Sequence, residues 1–318
     1  MTRLRYNMSG FLSDAYYYYD SPLKRKGLYL TDVQQSLAWG INPIDKRDIL
    51  NDKIAFDQHF SQYIPTPQTL ATVKQGQIAP VNNHISNLDD LHTYLIDNGA
   101  VVMKAQSGAG GYGILVIKYK DKCFYLNDKM IKFTHIKDLI SELDNYFISE
   151  YLIQSDFSKE LFPKTVNTIR ILTMIDPKTK EPFIPVAVQR VGTEQSIPTD
   201  NWQQGAMSVK VNLDTGVLEN AIYFPQDGKA QSKSHHPDTG QPLTGKVIPN
   251  WPTIKEVILK AASENDFLHY IGWDVVVTED GIKVLEANNG SGVIIYQVHE
   301  PLLKDERVRA FYKYHNII

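Results

Sequence analysis

The chain has 318 residues, 42% of them apolar and 22% charged, with a formal net charge of −3. This is enough for a large core in one to three domains, and it leaves no basic surface for nucleic acid or an acidic membrane and no run of about 18 apolar residues to span a bilayer. A single cysteine, Cys123, excludes an intramolecular disulfide and a multi-cysteine zinc site; together with the lack of an apolar stretch behind Met1-Thr2-Arg3 it points to the cytoplasm.

In chain order, residues 10–50 read as mixed and partly helical, with the run Tyr16-Tyr17-Tyr18-Tyr19 as aromatic packing. Asn51-Asp52 caps a predicted helix through Phe60, which stops before Ile64-Pro65-Thr66-Pro67, where proline enforces an extended path. Leu88–Asn98 is a short amphipathic helix closed by Gly99. A strand ending at Lys104, a Gly-rich loop and a strand over 114–118 follow, then a strand over 123–126 and a helix over 136–143. Three further apolar runs cover 147–153, 168–174 and 186–191. The second carries Arg170 at its centre, and a buried arginine needs an anionic partner. His235 and His236 precede Pro237-Asp238-Thr239-Gly240, which is turn chemistry rather than a zinc site. A helix starts near Pro252. Strands and helices without strict alternation predict an α+β fold.

Two segments carry chemistry. Ile271–Val277, a turn with Asp280-Gly281, and Ile282–Asn289 form a predicted hairpin. With the turn centred on Asp280, Asp274 faces Glu286 across the strands, and Asn288 shares their face. Two carboxylates and an amide on one patch of an apolar hairpin suit magnesium, which takes hard oxygen ligands and completes its shell with substrate phosphates. In the segment 104–118, Gly108, Gly110 and Gly113 match Gly-x-Gly-x-x-Gly, with Gly111 between them. A dinucleotide fold needs a helix after these glycines, whereas here they lie between two strand-like runs. The expected structure is a hairpin whose backbone amides fold over phosphates.

Together these motifs resemble the ATP-grasp superfamily over roughly residues 51–300. The resemblance rests on Asp52-Lys53 leading into Ile64-Pro65-Thr66-Pro67, the Lys104 strand with its loop, Glu150-Tyr151-Leu152-Ile153, Gly272-Trp273-Asp274-Val275 and Leu285-Glu286-Ala287-Asn288. The stretches Pro163–Arg170, His236–Gly240 and Ile248–Trp251 are similar to the sugar-transfer-associated branch, found with genes for surface polysaccharides.

The resemblance implies ATP held between two α+β lobes, with magnesium on Asp274, Glu286 and Asn288. It implies Lys53 and Lys104 on the phosphates, the glycines of the loop over them, and Glu150, Tyr151 and Ile153 along the adenine. Either Asp156 or Glu160 takes the ribose. Arg170 clamps the transferring phosphoryl group, and Arg190 and Lys210 serve the same pocket or the substrate. The implied organisation is an N-terminal segment (1–49), a small lobe with the Gly-rich loop (50–151) and a large lobe with the metal hairpin (152–318). Only about fifty residues precede Lys53, fewer than the Rossmann-like domain usual before it in the superfamily.

The expected activity is an ATP-dependent carboxylate–amine ligase working through an acyl phosphate. Its substrates are a small carboxylate and an amine, with a uronic acid or amino sugar of a polysaccharide precursor, or a sugar nucleotide, as the implied class. A kinase-like phosphotransferase would share the glycine hairpin, with Lys118 behind it, but the chain has neither a His-Arg-Asp nor an Asp-Phe-Gly sequence. A nucleotide-binding module without catalysis would carry the same motifs.

Overall fold

The computed structural model describes residues 9–12, 18–19, 27–81, 84–107, 113–224 and 230–318. Gly108, Gly110 and Gly111 therefore lie outside the described residues. Within them, strands and helices build two seven-stranded sheets in which every ladder is antiparallel, an α+β architecture as expected. The first sheet contains β1 (Thr69–Lys74), β2 (Gln77–Pro80), β3 (Ala100–Ala105), β4 (Leu115–Lys120), β5 (Cys123–Leu126), β6 (Lys129–Ile131) and β7 (Tyr146–Glu150), in the order β2-β1-β7-β3-β4-β5-β6. The second contains β8 (Ile169–Ile175), β9 (Pro182–Val191), β10 (Met207–Val211), β11 (Leu218–Tyr223), β12 (Gln231–Lys233), β13 (Tyr270–Thr278) and β14 (Gly281–Asn288), in the order β12-β11-β10-β9-β8-β13-β14.

Helices cover one face of the first sheet. Leu88–Asn98 ends on Gly99 at φ +81°, the left-handed cap expected from the sequence. Its Leu91 and Leu95, with Ile136 and Ile140 of the helix Phe133–Glu142, pack on Val101, Met103, Ile117 and Ile148. Because side chains alternate, Lys104, Phe147 and Ser149 point to the opposite face, where they line a small pocket with Lys53 and Leu285.

The second sheet is packed on both faces. On one, Ile171, Trp273 and Val275 meet Trp251, Ile254 and Ile258 of the helix Trp251–Ser263. The helix Lys53–Phe60, capped by the Asp52 carboxylate on the N–H groups of Ile54 and Ala55, also belongs here: Leu50, Phe56, Phe60 and Ile64 join this core rather than that of the first sheet. On the other face, the C-terminal segment lays Tyr296, Phe311 and Tyr312 over Leu172, Val188 and Tyr270. Tyr296 lies close enough to Arg170, Arg190 and Asp274 to feel their charges.

Among the described residues, no helix is long and apolar enough to cross a membrane.

Candidate functional site: a charged cleft between the two sheets

The hairpin β13–β14 places Asp274 opposite Glu286 and Gly272 opposite Asn288, in the register read from the sequence. The route differs. The turn is tight, Thr278 pairing with Gly281, and Leu285 is an unpaired bulge between the pairs Asp274–Glu286 and Val275–Val284. The bulge flips the strand's parity. Lys283 shares the face of Glu286 and Asn288, whereas Val284 turns into the core.

Arg170 on β8 sits directly opposite Asp274. Its Nε donates to Asp274 Oδ1 and its Nη2 to Oδ2 at 2.9 Å, a bidentate fork. Arg190 donates from Nη1 to Asp274 Oδ2 at 3.0 Å, from Nη2 to Asp200 Oδ1, and from Nε to the Asp200 carbonyl at 3.1 Å. Asp200 is held in turn by the N–H and hydroxyl of Thr168. Burial alone would push the Asp274 carboxyl upward, but the two guanidinium groups outweigh it and hold the group below the usual carboxylate range. Arg170, penalised by burial but facing Asp274, is pushed above the ordinary arginine value.

Lys53 closes the row, with Nζ 3.6 Å from Glu286 Oε2. Its backbone N–H bonds to Gln106 O, and Asp52 pairs with Ser107, so this helix start is stitched to the beginning of the Gly-rich loop. On the far side of that loop, Gly113 has φ +73°, where any other residue would be strained, and a Cβ there would stand 2.6 Å from the Tyr146 hydroxyl. Lys104 reaches into the cleft from β3, where it lines a small pocket with Lys53, Phe147, Ser149 and Leu285. Among the described residues no carboxylate lies within ion-pair distance of Lys104. Burial pushes its pKa down and Glu286 only partly restores it, with Lys53 adding repulsion. Lys53, Lys104, Arg170 and Arg190 thus share the cleft with Asp57, Asp200, Asp274 and Glu286; Asp57 lines the lysines' pocket but accepts from the Thr66 and Thr69 hydroxyls.

Glu150 ends β7 at the junction of the lobes. Its Oε1 accepts from the N–H of Gln68 and from Lys283 Nζ, both at 2.9 Å. Lys283 also reaches the Thr66 carbonyl. Lys283 escaped the sequence reading because plain alternation assigns it to the face of Leu285 and Ala287. Tyr151 and Ile153 follow in an exposed stretch. Asp156 and Glu160 lie on the helix Asp156–Leu161, where they pair with Lys159 and Lys246; their side chains are 91% and 61% exposed, and no contact among the described residues joins them to the cleft. Lys210 stands on β10, where it pairs with Glu300 at 2.7 Å and Glu219 at 3.7 Å. His236 is a structural residue: its Nε2 donates to Gly192 O, its Nδ1 accepts from the N–H groups of Asp238 and Thr239, and its ring stacks on Phe162.

A divalent cation fits this donor set. Glu286 is the less committed carboxylate, since both oxygens of the adjacent Asp274 accept from Arg170 and Arg190, and Asn288 spends its Nδ2 on the Gly272 carbonyl, leaving the amide oxygen uncommitted among the described residues. No group of three or more His, Cys, Asp or Glu able to hold a metal gathers among the described residues.

The cleft makes one prediction directly. With a nucleotide phosphate at Lys104, Lys104→Ala would remove a charge-assisted donor worth about 1.5–3 kcal/mol, and ATP affinity is expected to fall roughly ten- to a hundredfold while adenosine affinity changes little. Calorimetry with both ligands checks this; equal losses would move Lys104 away from the phosphates.

A comparison with curated proteins finds no match. Solved structures similar to this chain include the ADP complex of purK, N5-carboxyaminoimidazole ribonucleotide synthetase (9% identity, TM-score 0.46, 83% of this chain and 52% of that one). Others are the ATP-grasp ligase PsnB with its minimal precursor (13%, 0.44, 85% and 62%) and D-alanine–D-alanine ligase from Helicobacter pylori (13%, 0.49, 90% and 70%). The chain thus spans only about half the length of the purK protein. These likenesses are loose; the family model for sugar-transfer associated ATP-grasp proteins is matched over residues 33–310. A cleft with Lys104 of the first sheet on one wall, and Lys53 beside the carboxylate hairpin on the other, is the setting of a chain that belongs to the sugar-transfer associated ATP-grasp family.

Proposed function

We propose that the protein is an ATP-dependent carboxylate–amine ligase. The observation that supports this most is Lys104: an enclosed lysine beside a second lysine, without a carboxylate at ion-pair distance among the described residues, calls for an anion that the chain does not supply. A triphosphate would meet that need. Lys53 and Lys104 would neutralise its oxygens as mobile point charges, with the glycines around Gly113 closing over it. Glu150 would accept from the adenine amino group through Oε2, since Oε1 already serves Gln68 and Lys283. Tyr151 and Ile153 would offer backbone groups to the base edge, and Asp156 or Glu160 would take the ribose.

Asp274, Glu286 and Asn288 would hold magnesium, which supplies neutralisation of the phosphate charge. Arg170 has Nη1 uncommitted among the described residues, and from this position it would stabilise charge on the transferring phosphoryl group. Arg190, locked on three sides, would hold Asp274 in place. In the proposed reaction a substrate carboxylate attacks the γ-phosphorus and ADP leaves; an amine then attacks the acyl phosphate, giving an amide and releasing phosphate. The chain's part is positioning and charge stabilisation. For the substrate class, a uronic acid or amino sugar of a polysaccharide precursor, the family's association with sugar transfer is the support.

Hydroxylamine tests the reaction type, because it traps acyl phosphates without needing the native acceptor. With ATP, magnesium and a panel of uronic acids, sugar-linked carboxylates and amino acids, a hydroxamate and matching ADP are expected. A stable phosphate ester without hydroxamate would instead identify a kinase, and neither product would identify a binding module.

A further inference from the structure

Beyond the charged cleft, the same face of the second sheet holds a cavity of about 330 Å³, between β9–β10 and the C-terminal segment, lined by Val186, Lys210, Tyr296, His299, Glu300 and Leu302 among others. The two sites are neighbours. Ser208 stands directly opposite Arg190 in the β9–β10 ladder, and Lys210 follows two residues along, opposite Val188.

The hydrogen bonds fix the chemistry of His299. Ser208 is fully buried and donates its single hydroxyl proton to the Ile295 carbonyl at 2.9 Å. Its oxygen also lies 2.8 Å from His299 Nε2, so it must accept there. The imidazole proton is thus on Nε2, and Nδ1 is a bare acceptor without a partner among the described residues. Burial, reinforced by the Lys210 charge, pushes this histidine down to about 3, so the ring stays neutral. Burial would raise Glu300, but Lys210 at 2.7 Å and Lys304 at 3.7 Å outweigh it and keep the carboxylate ionised. The lining carries three carboxylates (Glu300, Asp305, Glu306) against two ammonium groups (Lys210, Lys304). Pro185, Val186, Leu302 and Val308 supply apolar wall.

We propose that this cavity is the subsite for the amine partner, a small primary ammonium compound whose N–H groups bond to His299 Nδ1 and the Glu300 carboxylate. An anion would meet Glu300. A neutral hydroxyl compound would bond to the imidazole but gain nothing from the charge. The Lys210 ammonium already occupies Glu300 as such a ligand would, and so competes with it. The place of this subsite in a reaction rests on the ligase reading; its ligand preference does not.

Ligand-observed NMR on the full chain, with ethanolamine, its neutral counterpart ethylene glycol and the anion acetate as probes, provides the test. Ethanolamine should bind at least about tenfold better than ethylene glycol, and acetate should not bind. Glu300→Gln should weaken ethanolamine about tenfold, the cost of one charge-assisted hydrogen bond. Lys210→Met removes the competitor and should tighten it, which also serves if the Glu300 variant folds poorly. No binding of ethanolamine, equal binding of ethylene glycol, an unchanged affinity in folded Glu300→Gln, or weaker binding in Lys210→Met would each overturn the proposal. A failed hydroxylamine assay would count against the ligase and leave these binding results as they stand.

Discussion

Glu286→Gln is expected to lower magnesium-dependent ATP turnover by about a hundredfold or more, the scale on which losing one transition-state electrostatic group acts, while the thermal midpoint stays near that of the wild type. Two features separate the effects. Glu286 lies opposite Asp274 on the cleft face, so its charge is one of two that the donor set offers a cation. Its side chain is nevertheless 31% exposed, and its ion-pair partner, Lys53, stands 3.6 Å away, a distance at which an ion pair contributes little to folding. Removing the charge without changing the shape therefore spares the fold. Steady-state turnover against magnesium concentration, with a melting curve alongside, checks both halves. Near-normal turnover at ordinary magnesium would remove Glu286 from the site.

Asp274→Ala should behave differently. Its carboxylate is only 5% exposed and is gripped by Arg170 through two bonds and by Arg190 through a third. Deleting it leaves two guanidinium groups enclosed, with Asp200 holding only one of them. Breaking a buried ion pair from one side costs about 3–5 kcal/mol. At about 2–4 °C per kcal/mol for chains somewhat shorter than this one, the midpoint should fall by on the order of 10 °C, with turnover lost as well. Thermal and urea unfolding measure it. A change under about 1 kcal/mol would place the pair among surface salt bridges.

The contrast between these two acids was not readable from the sequence, where both are carboxylates of one hairpin. What alternation did show was their shared face, and the register came out correctly through two offsets that cancel. The tight turn at Glu279-Asp280 alone would set Asp274 against Leu285, and the bulge at Leu285 moves it to Glu286. Bulges have no reliable local signal, so Lys283 stayed hidden, and with it the link from the metal hairpin to Glu150. Helix ends were more legible because their causes are local: Asp52 caps the helix beginning at Lys53, and Gly99 closes the one ending at Asn98. The need of Arg170 for an anion was plain from its apolar strand, but the partner lies 104 residues away, where only tertiary pairing decides. Lys210 met Glu300 for the same reason. The strand β1, polar at its ends and placed after two prolines, lacked a run long enough to notice.

Manganese(II) titration followed by electron paramagnetic resonance tests the metal–nucleotide site most directly, since manganese substitutes for magnesium on oxygen ligands and its free signal disappears on binding. With ATP present, the wild-type protein should take up manganese beyond what ATP binds alone, and Glu286→Gln should do so at least about tenfold more weakly. Equal uptake by the two proteins, or no uptake by the wild type beyond that of free ATP, would contradict the assignment of the cleft.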